Sequence, residues 1–89
     1  MAYEILIDDL RLWEKDCSVI PRTKLRIIVQ KIAALAGDPC PENVHVAQLK
    51  HYALADFRLR VGDYRVLFNK DEESKTIHLL RVLDRSKLY

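Results

Sequence analysis

The sequence predicts an α+β domain in the order β-α-α-β-β-β, with two N-terminal helices packed on a small, mainly antiparallel sheet. Three observations predict it. An apolar stripe at helical spacing (Leu25, Ile28, Val29, Ile32, Leu35, Ala36) follows Pro21. From Phe57 onward, apolar and charged residues alternate with the period of a strand. Gly62-Asp63 interrupts that alternation with the chemistry of a two-residue hairpin turn. The chain has 89 residues, 49% of them apolar, which suits one domain over residues 1–89 with a small core.

Ala2–Ile7, rich in Ile and Tyr and free of breakers, reads as the first strand. Asp8 or Asp9 caps the helix that follows, which carries Leu10 and Trp13 on its buried side and ends near Asp16–Ser18. Pro21 occupies the first turn of the second helix, where its missing N–H costs nothing. Arg22, Lys24, Arg26 and Lys31 fall on the other faces of that helix and read as a solvated surface. Gly37 stops the helix, and Asp38-Pro39-Cys40-Pro41 reinforces the break. Glu42–Ala55 is mixed, with a short strand possible around Val44–Leu49. Strands are expected at Phe57–Val61, Tyr64–Asn69 and Thr76–Leu83, with a polar link at Asp71–Lys75.

No apolar run approaches the ~18 residues that span a bilayer, and Met1–Glu4 lacks the basic start and apolar stretch of a signal peptide. A cytoplasmic protein with no membrane partner is expected. Cys17 and Cys40 lie far apart, with no CxxC and no histidine at ligand spacing. They read as reduced thiols, with a structural disulfide as the alternative. No metal site is visible, and neither a metal nor a small-molecule cofactor is expected.

Net charge is +2, but it is unevenly spread. Residues 1–56 carry seven Lys/Arg and eight Asp/Glu, whereas residues 57–89 carry eight Lys/Arg and five acids. Four of those acids (Asp63, Asp71, Glu72, Glu73) fall in or beside turns. The imbalance points to an anionic partner for the last third.

A two-residue turn at Gly62-Asp63 pairs Val61 with Tyr64, Arg60 with Arg65, Leu59 with Val66 and Arg58 with Leu67. Side chains alternate across a strand, so Phe57, Leu59, Val61, Tyr64, Val66 and Phe68 share the core face. Arg58, Arg60 and Arg65 emerge on the other. Opposed like charges destabilise a sheet, while arginine is well shaped for bidentate contact with phosphate. Such a cluster fits a phosphate-binding site; the alternative is a solvated face neutralised by acids from another strand. Leaving the last strand, the chain brings Arg85 and Tyr89 to the rim of the same face, where an aromatic ring can stack on an unpaired base. His45, His51 and His78 raise the possibility of a histidine nuclease. Nothing in the sequence places two of them together, and they read as ordinary structural or surface histidines.

Leu59-Arg60-Val61-Gly62-Asp63-Tyr64-Arg65-Val66-Leu67-Phe68, followed by Leu80-Arg81-Val82-Leu83-Asp84-Arg85-Ser86-Lys87-Leu88-Tyr89, resembles the C-terminal half of RelE/ParE superfamily toxins. Element order, the Pro21-led helix and chain length extend the resemblance over nearly the whole sequence. For the RelE branch it implies the toxin of a toxin–antitoxin pair, a ribosome-dependent endoribonuclease that cleaves A-site mRNA and arrests translation. The implied partners are a cognate antitoxin, the ribosome and its mRNA. By position, Arg58, Arg65, Arg85 and Tyr89 match residues that carry cleavage in RelE-like members. Arg60 and Lys50 match RNA-contacting residues, and Lys87 belongs to the same basic chain end. Asp84 stands where many relatives have a histidine, which removes the usual candidate for proton transfer, and Asp56 stands near a position where some have lysine.

The expected reaction is metal-independent attack of the ribose 2′-hydroxyl on the adjacent phosphate, giving a 2′,3′-cyclic phosphate and a 5′-hydroxyl. Arg65 and Arg85 are expected to stabilise the developing charge, and Arg58 to position the phosphate or assist the leaving oxygen. ParE-like inhibition of DNA gyrase is the alternative activity, and an inactive nucleic-acid or antitoxin-binding module is a third reading.

Overall fold

The computed structural model describes residues 3–37, 45–50 and 52–87. In chain order these form β1 (Glu4–Ile7), α1 (Leu10–Ser18), α2 (Arg22–Leu35), β2 (Val46–Gln48), β3 (Phe57–Val61), β4 (Tyr64–Asp71) and β5 (Thr76–Asp84), with a short 3-10 turn at Arg85–Lys87. Ala2, the break at Asp38–Pro41, Val44, His51 and Tyr89 lie outside the described residues. The expected α+β architecture is present, with β2 added as a fifth strand. Sheet order is β1-β5-β4-β3-β2, antiparallel throughout except for the parallel β1–β5 pair.

Local chemistry explains both helices. Asp9 caps α1 by accepting the Leu12 N–H at 3.1 Å. Pro21 is the N-cap of α2, at φ −55 and ψ 142. Ile28, Ile32 and Leu35 form the buried stripe of α2 and Trp13 the apolar anchor of α1. They meet Leu59, Val61, Val66, Phe68, Ile77, Leu79 and Val82 from the sheet. Leu10 and Val29 are corrections: both are exposed, at 56% and 57%. Leu10 is the first residue of α1, and Val29 is rotated about 100° from Ile28 on a helix of 3.6 residues per turn, so it falls on the flank. No helix among the described residues is long and apolar enough to cross a membrane.

The opposite face of the sheet is not wholly solvated. Leu67 and Ala55 are buried there, packed with Leu49, Tyr52, Leu80 and Leu83. The segment after β2 therefore folds back over part of the face that carries the hairpin arginines. An irregularity in the β4–β5 ladder makes this possible: Leu67 pairs with Arg81 but Phe68 with Leu79, leaving Leu80 as an extra residue. The bulge resets the alternation, so Leu79 and Val82, three apart, both face the helices.

One polar group is buried against α1. The Asp16 carboxylate, 6% exposed, accepts Arg81 Nε and Nη2 at 2.7 Å each and the Val82 N–H at 3.2 Å. β1 pairs with β5 only as far as Leu79, and Asp16 takes up the Val82 donor beyond that point. Next to it, burial pushes the free Cys17 thiol up in pKa, aided by the charges of Asp16 and Glu14.

Candidate nucleic-acid interface

The β3–β4 hairpin has the expected register, with Arg60 opposite Arg65 and Arg58 opposite Leu67. Gly62 turns the chain at φ +58, and it is the only central turn residue with positive φ, which is the signature of a type II′ turn. Arg65 folds back over that turn. Its Nη1 donates to the carbonyls of Gly62 and Tyr64, both at 2.9 Å. Carbonyl dipoles thus hold the guanidinium in place and offset part of the cost of facing Arg60.

The 3-10 turn brings Arg85 to the same place. Its backbone N–H donates to the Asp63 carbonyl at 2.8 Å, and its Nε lies 3.8 Å from the Asp63 carboxylate. Around the hairpin turn lies a cleft of about 520 Å³, lined by Lys31, His45, Arg60, Asp63, Arg65 and Arg85 together with apolar Ile27 and Val61. Four cations from four elements therefore share a concavity with one carboxylate, and low-dielectric walls concentrate such a field on an incoming anion.

The surrounding ion pairs sharpen this. Lys70 and Lys75 both reach Glu72, at 3.1 and 3.4 Å, and Asp16 takes Arg81. These cations of the last third are neutralised locally, away from the hairpin turn. No carboxylate among the described residues pairs with Arg58 or Arg60.

The other expected site residues are placed differently. Arg58 is half-buried two pairs further along the hairpin, opposite Ala47 on β2 and Leu67 on β4, and does not line the cleft. Lys50 is exposed in the segment after β2, outside the cleft. Lys87 lines a separate depression of about 340 Å³ with Lys15, Asp16 and Arg81. Tyr89 lies outside the described residues. Asp84 accepts the Ser86 N–H at 2.9 Å, and its carboxyl is held below its ordinary pKa chiefly by hydrogen bonds from Ser86, then by Arg85 and Lys87. Its main partner is thus the Ser86 amide.

Residues 15–89 match the family described as the ParE toxin of the type II toxin–antitoxin system, parDE. The chain belongs to the ParE toxin family. It is a toxin of the RelE/ParE type from a toxin–antitoxin system. Its fold is similar to the archaeal RelE–RelB complex from Pyrococcus horikoshii, with TM-score 0.76 and 26% identity over 98% of this chain and 99% of that one. It is also similar to the RelBE2 toxin–antitoxin complex from Mycobacterium tuberculosis, with TM-score 0.77 and 24% identity over 96% and 100% of the two chains. The RelB–RelE complex from Methanococcus jannaschii gives TM-score 0.66 and 24% identity over 94% of each chain. A comparison with curated protein sequences found no match.

Two cleft residues of this toxin escaped the sequence reading. Lys31 read as part of a solvated helix face, and His45 as a surface histidine. No linear signal joins them to the hairpin; only the packing of α2 over β3 and the start of β2 beside Arg60 does so. His78 lies elsewhere, with its Nδ1 2.8 Å from Asp8 at the β1–β5 edge.

Proposed function

We propose that this toxin is a ribosome-dependent endoribonuclease that cleaves translated mRNA and is held inactive by a cognate antitoxin. The observation that carries the reading is the convergence of Lys31, Arg60, Arg65 and Arg85 on one cleft with a single carboxylate. The full-length likeness to an archaeal RelE toxin at 26% identity supports the same branch. The scissile phosphate sits against Arg65 and Arg85, with Arg60 and Lys31 holding the flanking backbone. Attack of the 2′-oxygen places extra charge on the phosphate oxygens, and guanidiniums already fixed in place stabilise it without reorganising. Arg65 is held by its turn carbonyls, and the main chain of Arg85 is tied to the turn by its N–H bond to the Asp63 carbonyl. Arg58 approaches from the adjoining hairpin position to align the substrate. Tyr89, at the chain end after Arg85, stacks on a base.

Orientation by the ribosome supplies much of the remaining barrier reduction, since positioning alone is worth roughly 7–11 kcal/mol at its upper end. Free RNA is accordingly cut poorly. Arg65→Ala or Arg85→Ala, induced in cells, abolishes growth arrest while the purified variants stay folded by circular dichroism. Growth arrest that persists in both variants would remove the cleft from the mechanism.

The family match favours a second reading, poisoning of DNA gyrase. DNA breaks and an SOS response without transcript cleavage after induction would establish that reading instead.

A further inference from the structure

Lys24 is a cation that the proposed cleavage does not use. It stands on α2, a helix with four cations (Arg22, Lys24, Arg26 and Lys31) and no carboxylate. It is exposed, and no carboxylate among the described residues pairs with it. Lys24 and Lys31 are two helical turns apart, so they share one side of α2 and lie about 10 Å apart along its axis. Ile27, 45% exposed, sits between them on that side. Lys31 lines the cleft, whereas Lys24 lines a smaller depression of about 90 Å³ between α2 and the hairpin turn. The two hollows share Ile27, Val61, Gly62 and Asp63 as walls, so they adjoin across the turn. Gly62 leaves the crossing open: a Cβ added there would meet nothing within 4 Å. Among the described residues, Asp63 is the only carboxylate lining either hollow.

We propose that the RNA strand held in the cleft runs on over Gly62 and along this side of α2, where Lys24 binds the backbone phosphate of a nucleotide outside the scissile bond. The inference rests on the endoribonuclease reading. Continuity and charge both favour RNA as the occupant: a polyanion seated on Lys31, Arg60, Arg65 and Arg85 meets Lys24 next, with Asp63 the one opposing charge on the way. Lysine is a compact point charge on a flexible stem, suited to phosphate and not to reading a base. Lys24 therefore strengthens binding of any sequence and takes no part in the bond that breaks.

The test measures, by fluorescence anisotropy at about 0.1 M salt, how the purified full chain binds two 2′-O-methyl oligoribonucleotides, which lack the nucleophilic hydroxyl. A trinucleotide fills the cleft alone, and a decanucleotide reaches Lys24 as well, so the native chain binds the longer strand more tightly. Lys24→Ala weakens decanucleotide binding by roughly 2–5-fold, the worth of one exposed ion pair, and Lys24→Glu weakens it further. The slope of log affinity against log salt falls by about 0.7 in Lys24→Ala, one single-strand phosphate. Trinucleotide affinity is unchanged in both variants, and Lys24→Arg keeps native affinity for both strands. Arg26→Ala removes a cation about 200° around the same helix and changes neither affinity. Native decanucleotide binding by Lys24→Glu, or an equal loss for both strands, overturns the inference even if that variant loses affinity for the antitoxin. Cleavage of ribosome-bound mRNA by the native chain then leaves the endoribonuclease reading standing. No such cleavage removes that reading and the inference with it.

Discussion

Asp16→Ala removes the acceptor for three donors at once: two guanidinium N–H groups of Arg81 at 2.7 Å and the Val82 amide at 3.2 Å. Breaking a buried ion pair from one side costs about 3–5 kcal/mol, because the remaining charge is stranded. Arg81 keeps 28% of its side-chain surface in solvent, so water recovers part of the loss and the lower end, about 3 kcal/mol, applies. A chain of this size has only about 4–13 kcal/mol in total. At about 4–8 °C per kcal/mol the melting temperature falls by roughly 12–24 °C. Urea denaturation by circular dichroism measures the change directly. The double variant Asp16→Leu with Arg81→Met removes both charges and leaves only the Val82 N–H unsatisfied, so it costs about 1–3 kcal/mol, less than the sum of the single changes. If Asp16→Ala costs under about 1 kcal/mol, or the double variant costs the full sum, the pair is not the anchor of α1 on β5.

Arg60→Thr relieves the like charge opposite Arg65 and raises stability by about 0.2–1 kcal/mol. The gain shrinks with added salt as the repulsion is screened, and RNA binding weakens; a loss of stability at low salt would contradict the account. Gly62→Ala meets nothing within 4 Å, so its cost comes from the φ of +58 alone, about 1–3 kcal/mol by urea denaturation. The carboxyls of Asp71, Glu72 and Asp84 are held below their ordinary values, chiefly by the Ser74 amide, the Tyr3 hydroxyl and the Ser86 amide respectively. A depressed folded-state value means stability that is fully present above about pH 4 and lost as pH falls through the lowered values. Melting temperature therefore drops on acidification, and Tyr3→Phe, which deletes the largest influence on Glu72, makes that drop shallower.

The hairpin was the most legible part of the chain, because Gly62-Asp63 between two alternating runs fixes the register and the register fixes the faces. The helices were legible from capping and periodicity, apart from Leu10, exposed as the first residue of α1, and Val29, exposed on the flank of α2. The second apolar patch was not legible. Leu49, Tyr52 and Ala55 lie in a segment without periodicity, and Leu80 and Leu83, three apart on β5, share their face only because a bulge shifts the strand by one residue. The candidate site divided in the same way. Arg60 and Arg65 follow from alternation, whereas Lys31 and His45 join them through tertiary packing, which carries no local sequence signature. Arg81 read as one more surface cation of the last third, and only the three-dimensional position of Asp16 shows that it is structural.

The central claim is that the cleft around the hairpin turn cleaves translated mRNA. Mapping the 5′ ends of transcripts after induction of the native chain, with Arg65→Ala as the control, tests it most directly. The account predicts new ends bearing 5′-hydroxyls within translated codons, absent when Arg65 is replaced. Growth arrest with no such ends, or the same ends with Arg65→Ala, would contradict it.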